Sequence, residues 1–211
     1  MPIPQKTVTK LRADATAKVR SGFYTREAII SSLVELAQYY SRRARADEAR
    51  SLATTLVAEA WAAQLARQAS WPEGERTSYE RLAAAFEAMN SGEVLAKMNW
   101  TCCATCGGEE IREEREIALE KGQGEGGWLG YVFFHEQSTE AVVGGDTKLP
   151  LYFSSFDEVQ EKDEEVGRRI VRCLEAEGLE VEWDGDTRIG IVVKIPEWRR
   201  RIPEGEEGNS C

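Results

Sequence analysis

Apolar positions recur at three- and four-residue steps through most of the first half of the chain, which is the period of helices with one buried face. Val8, Leu11, Ala15 and Val19 give the first such stripe, and Ser21-Gly22 breaks it. Thr25 is placed to cap a second helix whose stripe is Ile29, Ile30, Leu33, Leu36, Ala37 and Tyr40. A short basic connection, Arg42, Arg43 and Arg45, follows. Asp47 then opens a third helix with Leu52, Leu56, Ala60, Trp61 and Leu65 inward, stopped at Trp71-Pro72 because a residue before proline disfavours helical geometry. Tyr79, Leu82, Phe86 and Met89 mark a fourth helix that ends at Ser91-Gly92, and Val94 to Trp100 is a short element of ambiguous type.

Beyond residue 98 the pattern changes. Glu109 to Lys121 is helical in period but mostly charged, so it belongs on a surface, and Gly122 to Gly127 reads as a flexible loop. Trp128 to His135 is apolar and aromatic on both faces, as expected of a central strand, and Leu149 to Phe153 is a second short strand. Asp163 to Glu177 is an amphipathic helix with Val166, Ile170, Cys173 and Leu174 on one side and Gly178 as its stop. Val181 and Trp183 start a hairpin that turns at Asp184-Gly185 and returns through Ile189, Ile191, Val193 and Ile195. The expected fold class is α+β: an N-terminal helical layer or subdomain of about four helices (1–98), then a small mixed sheet of about four strands with two helices (99–201), then a flexible acidic tail (202–211).

Charge sharpens this division. Residues 1–98 carry 14 Lys and Arg against 11 Asp and Glu, and residues 99–211 carry 13 against 26, so a chain of net charge −10 splits into a +3 half and a −13 half. The second half would repel phosphate backbones, which argues against nucleic-acid binding and suits a basic protein partner. No run of apolar residues approaches the roughly 20 needed to cross a bilayer, and the first residues lack the apolar core of a secretory signal, so a cytoplasmic location is expected.

Five cysteines, an odd number and clustered, do not form a disulfide framework. Three of them make the run Cys102-Cys103-Ala-Thr-Cys106-Gly107, which has three chemical readings. As a metal knuckle it lacks a second CxxC; a zinc site would draw on Cys102, Cys103, Cys106 and His135, the chain's one histidine, with Cys173 as a further thiol. As a redox pair, a CxxC at a helix start has its thiolate favoured by the helix dipole and free amides, and Leu149-Pro150 and Ile195-Pro196 are the candidates for the cis-proline that thioredoxin-like folds use. As a nucleophile, Cys103 pairs with His135 as base, with Glu136 or Gln137 orienting the ring. Against these stands a tight turn packed by small thiols, with Cys173 in the core and Cys211 a free terminal thiol.

The acidic residues Glu109, Glu110, Glu113, Glu114 and Glu116, and Glu158, Glu161, Asp163, Glu164 and Glu165, point in different directions along their helices and read as solvated faces. Asp184 and Asp186 are turn residues, and Arg199–Arg201 a basic strand end.

Five stretches taken together, Ser70-Trp-Pro-Glu73, Arg81 to Phe86 (RLAAAF), Gly130 to Gln137 (GYVFFHEQ), Val166 to Val171 (VGRRIV) and Gly178 to Gly185 (GLEVEWDG), resemble an uncharacterised bacterial family known only as a domain of unknown function. The resemblance runs from about Val19 to Arg201. It implies no catalytic residue, and the thiol run lies outside those motifs. With no complete catalytic set, the expectation is a non-catalytic acidic interaction or regulatory protein, for example an immunity-like protein that occludes a basic partner. The alternative is a thiol- or zinc-dependent protein centred on Cys102, Cys103, Cys106 and His135.

Overall fold

The computed structural model describes residues 3–42, 44–122, 127–157 and 159–202. Arg43, Glu158, most of the loop expected at 122–127, and the tail with Cys211 lie outside them. The chain folds into two compact units, one of Met1–Glu75 with Arg199–Cys211 and the other Arg76–Trp198.

The first unit holds α1 (Gln5–Ser21), α2 (Arg26–Tyr40) and α3 (Ala46–Gln68). Each turns residues of its predicted stripe to a shared core: Leu11, Ala15 and Val19, then Ile29, Leu33 and Ala37, then Leu56 and Trp61, with the unpredicted Ala49, Ala53 and Val57 beside them and Leu52, Ala60 and Leu65 partly buried at its edge. Gly22 ends α1 in a left-handed conformation, and the Thr25 hydroxyl accepts the Ala28 N–H at 3.1 Å to start α2. α3 begins at Ala46, one residue before the expected Asp47, and Asp47 instead pairs with Arg45. Beyond Trp198 the described residues reach Ile202, and they are anchored, Ile202 of the expected flexible tail included. Gln68 exchanges two hydrogen bonds with the Ile202 backbone, at 2.6 and 3.1 Å, and the Arg200 guanidinium lies 3.8 Å from the centre of the Phe23 ring. Ile202 joins the helical core.

The second unit is a five-stranded mixed sheet with helices on both faces. Its elements are α4 (Ser78–Ser91), β1 (Val94–Lys97), α5 (Ala104–Glu120), β2 (Gly130–Phe133), α6 (Glu136–Gly144), β3 (Lys148–Ser155), α7 (Gln160–Ala176), β4 (Val181–Glu182) and β5 (Ile191–Lys194). The order is β1-β2-β3-β5-β4, with β1 and β2 parallel and the remaining pairs antiparallel. The chain is therefore α+β, as its pattern predicts, with a larger sheet unit than the four strands and two helices expected. The ambiguous Val94–Trp100 segment supplies β1, and the fourth helix packs on α7 and β1. The expected boundary at 98/99 thus falls inside this unit, between β1 and α5. The strand expected at Trp128–His135 shortens to four residues, because His135 starts α6.

Register fixes the two faces of the sheet. Val132, Phe153, Leu151 and Leu149 share one face with Ile191 and Val193, and α7 covers it through Val166, Ile170 and Leu174. Leu95, Tyr131 and Phe133 lie on the other face, under Ile111 and Ala118 of α5. Both faces depend on a missing side chain. A Cβ on Gly107 of α5 would stand 2.4 Å from the Phe133 ring, and one on Gly130 would stand 2.4 Å from the Ser154 carbonyl. Among the described residues no helix is long and apolar enough to cross a membrane.

Candidate functional site

The route from β1 into α5 builds the thiol cluster. After Lys97 the chain stays tied to the segment beyond β2: Trp100 N–H donates to the Phe134 carbonyl at 2.8 Å, and Glu136 N–H to the Thr101 carbonyl at 3.1 Å. To keep those bonds while turning into the helix, Asn99 and Thr101 take left-handed conformations, with φ of 52° and 53°. Asparagine tolerates that region; threonine, branched at Cβ, does not adopt it without strain. Backbone strain of this kind persists where the surroundings enforce it, and it concentrates at functional sites. The Thr101 hydroxyl donates to the Cys103 carbonyl at 3.2 Å and helps to hold the turn.

Cys103 is the N-cap of α5, in extended conformation, and Cys106 is the third residue of the helix. The Cys106 Sγ lies 3.6 Å from the Sγ of Cys103 and 3.6 Å from that of Cys102. All three sulfurs fall within 4.8 Å of one another. Their acidities diverge. The backbone N–H of Cys106, and then the Cys106 and Cys102 thiols, hold the Cys103 thiol below its ordinary value. Hydrogen bonds to Cys102 and Cys103, and then their charge, push Cys106 up to about 12. Physically, Cys103 sits at the positive end of α5, where the helix dipole and the Cys106 N–H favour its thiolate, and Cys106 keeps its proton beside it.

His135 is not in the cluster. Its side chain caps α6: the Ser138 N–H donates to Nδ1 at 3.1 Å, and the ring stacks on Tyr152 with centroids 5.1 Å apart. An Nδ1 that accepts is unprotonated, so the ring is neutral, and burial holds its acidity constant below 6.5. The structure thus gives the ring to Ser138 and Tyr152, where the residue types alone suggest Glu136 or Gln137 orienting it toward Cys103. Cys173 is half-buried on α7, across the sheet from α5, so the fourth zinc ligand expected from His135 or Cys173 is not assembled with the three thiols. Leu149-Pro150 and Ile195-Pro196 are both trans.

The histidine gives a pH prediction. Its folded-state value lies below the unfolded value near 6.5. Between the two, the unfolded chain binds a proton that the folded chain refuses, so stability falls as pH drops below about 6.5. Urea midpoints measured from pH 8 to 5.5 are expected to decline for the wild type. They should stay flat for His135→Asn, which keeps an acceptor at the N-cap and costs less than about 1 kcal/mol at pH 8.

Much of the acidic charge is spent locally. Glu114 pairs with Lys97, Glu165 with Arg169, Glu182 with Lys148, and Asp186 with Arg188, which pulls the Asp186 carboxyl down to about 2. Asp184 accepts the Asp186 N–H at 2.9 Å, the turn chemistry expected of that pair. Asp163 accepts the Ser155 N–H at 2.6 Å and ties α7 to β3. Glu109, Glu110, Glu116 and Glu120 remain exposed along α5. The strained Thr101 and the capping role of His135 have no signature in sequence: left-handed threonine is rare, and histidine is not among the usual N-caps.

No curated protein and no solved structure matches the chain. A family model described as a domain of unknown function (DUF6891) matches residues 4–202. That span contains every described residue but Ile3, the whole thiol cluster included, and the chain belongs to this family.

Proposed function

We propose that the protein is a thiol–disulfide exchange protein in which Cys103 is the attacking thiolate and Cys106 the resolving thiol. The observation that carries this reading is the placement of Cys103 as the N-cap of α5, with the Cys106 sulfur 3.6 Å away and acidities shifted in opposite directions. The strand–loop–CxxC–helix order, β1 then α5, supports it. In the reaction, the Cys103 thiolate attacks one sulfur of a substrate disulfide, forms a mixed disulfide and expels the other sulfur as a thiolate, which takes up a proton. Cys106, losing its proton as its neighbour becomes neutral, then attacks the Cys103 sulfur and expels the second substrate thiol. The protein is left with a Cys103–Cys106 disulfide and the substrate is reduced by two electrons. A cytoplasmic setting would return the pair to thiols. For the substrate, the exposed carboxylates along α5 favour a basic protein.

The test is a thiol count. Reduced protein treated with bis(2-hydroxyethyl) disulfide is expected to release two equivalents of mercaptoethanol and lose two thiols. A single stable adduct, or no reaction beyond that of free glutathione, would refute the resolving role or the exchange activity.

A second reading rests on the convergence of all three sulfurs. A tetrahedral zinc with Zn–S near 2.3 Å has sulfur–sulfur edges of about 3.8 Å, close to the two 3.6 Å separations. Cys102, Cys103 and Cys106 would supply three thiolates and an external group the fourth ligand. Stoichiometric zinc in protein purified without chelator, lost on Cys102→Ser, would favour it over exchange.

A further inference from the structure

The N-terminal half of α5 has a second feature that the thiols do not explain. A helix lying over an aromatic sheet face ordinarily fills the space with large apolar side chains. Ile111 and Ala118 do so farther along α5. The first turns carry Ala104, Gly107 and Gly108 instead. Gly107 allows the helix to touch Phe133, but Gly108 has no such reason: a Cβ there would meet nothing within 4 Å. The result is a cavity of about 250 Å³ whose lining includes Ala104, Gly108, Tyr131, Phe133, Tyr152 and Arg188. Ala104 follows the attacking Cys103 directly, so the cavity opens at the thiol end of the helix.

The walls describe the occupant. Tyr131, Phe133 and Tyr152 stack in series, with centroids 6.1 and 5.6 Å apart; Phe133 is buried beneath Gly107, so the half-buried Tyr152 is the ring at which an entering group meets this aromatic wall. The charged residue in the lining, Arg188, is neutralised by a bidentate pair with Asp186, at 2.9 and 2.7 Å, so the cavity has no net charge to offer an ion. Its volume lies just below the range of about 300–1,000 Å³ usual for ligand pockets, which suits one side chain or one ring rather than a cofactor.

We infer that this cavity is the specificity pocket of the thiol centre, and that it receives an uncharged aromatic group next to the substrate's disulfide. The inference rests on the exchange reading and names its substrate class. The ring enters against Tyr152 beneath Gly108, and the attached disulfide is brought to Cys103 at the helix start. Cys102 and Cys106 take no part in recognising the ring.

The experiment compares two neutral disulfides, 4,4′-dithiodipyridine and bis(2-hydroxyethyl) disulfide, reacting with the reduced full chain in stopped flow. Glutathione is the reference thiol, which cancels their intrinsic reactivities. The wild type is expected to prefer the aromatic disulfide roughly three- to tenfold beyond the glutathione ratio, the scale of one aromatic stack. Gly108→Leu fills the cavity and is expected to return the ratio to that of glutathione, with the aliphatic rate changed less than about twofold. Its melting temperature should equal or exceed that of the wild type, because leucine is the better helix residue. Tyr152→Leu, which removes a wall without filling the space, should lower the aromatic rate alone and serves if Gly108→Leu misfolds. A wild-type ratio equal to that of glutathione, or equal losses with both disulfides in folded variants, would overturn the pocket while leaving the exchange reading intact. Failure of the wild type to react with either disulfide faster than glutathione would remove the exchange reading and the pocket with it.

Discussion

Cys103→Ser is expected to slow reduction of a small neutral disulfide at pH 7 by at least about a hundredfold, because a serine hydroxyl supplies no comparable nucleophile. The residual rate would belong to Cys102, which is exposed but is not the helix cap, and to the terminal Cys211. Cys106→Ser should behave differently. Cys103 still reacts, since the first cause of its acidity is the backbone N–H of residue 106, which the substitution keeps. The reaction then stops at the mixed disulfide, visible as one adduct mass and one equivalent of released thiol. Cys102→Ser should change the rate less than about threefold, because the Cys102 thiol comes third among the groups that stabilise the Cys103 thiolate. Stopped-flow rates for the three variants, with intact mass after reaction, check all of this. Equal slowing by Cys102→Ser and Cys103→Ser would show that the cap position confers no advantage.

Gly130→Ala is expected to cost about 3 kcal/mol, the upper end of ordinary overpacking, in a protein class whose total stability is about 5–15 kcal/mol. The new Cβ would stand 2.4 Å from the Ser154 carbonyl oxygen, 2.6 Å from the Val166 side chain and 3.0 Å from the Ser155 Cα. Two of these atoms are backbone of the paired strand β3, and Val166 is wholly buried in α7. Nothing there can rotate away. Gly108→Ala is the natural control, since its Cβ meets open space and the helix gains up to about 1 kcal/mol. Urea unfolding of both variants is expected to move the midpoint in opposite directions. A cost below about 1 kcal/mol for Gly130→Ala would contradict the close approach of β2, β3 and α7.

These predictions draw on features that the sequence reveals unequally. Helix faces are legible because burial imposes a period: Val19, Leu33, Leu56 and Ile170 are all at most 1% exposed, where their stripes place them. The alternation of Ile191 and Val193 likewise identifies the buried face of β5. Short elements are less visible. β1 has four residues and α6 nine, too few turns of pattern to separate strand from helix, and the apolar run at Trp128–His135 hides the point where β2 stops and the α6 cap begins. Ile189, predicted inside the returning strand, is 55% exposed, because the β4–β5 connection is wider than a two-residue turn.

The thiol cluster is half legible. The CxxC spacing and Gly107 announce a turn into a helix, and the structure puts Cys103 at its cap. The role of His135 depends on where α6 starts, which no local signal shows. Residue types alone therefore do not decide its membership in a metal or catalytic set. The aromatic cavity needs register: Tyr152 lies opposite Phe133 only because β2 and β3 pair as they do. The empty space above it follows from Gly108, which lies inside α5 although the charged helix read from the sequence starts only at Glu109.

The most direct measurement is to equilibrate the reduced full chain in glutathione buffers of graded oxidation, quench with acid and alkylating reagent, and map the disulfides by mass spectrometry. The exchange reading predicts one intramolecular bond, Cys103–Cys106, that forms and disappears reversibly with the buffer, leaving Cys102, Cys173 and Cys211 alkylated. Three thiols that stay reduced throughout, or a bond that joins Cys102 to Cys106 and leaves Cys103 free, would contradict it.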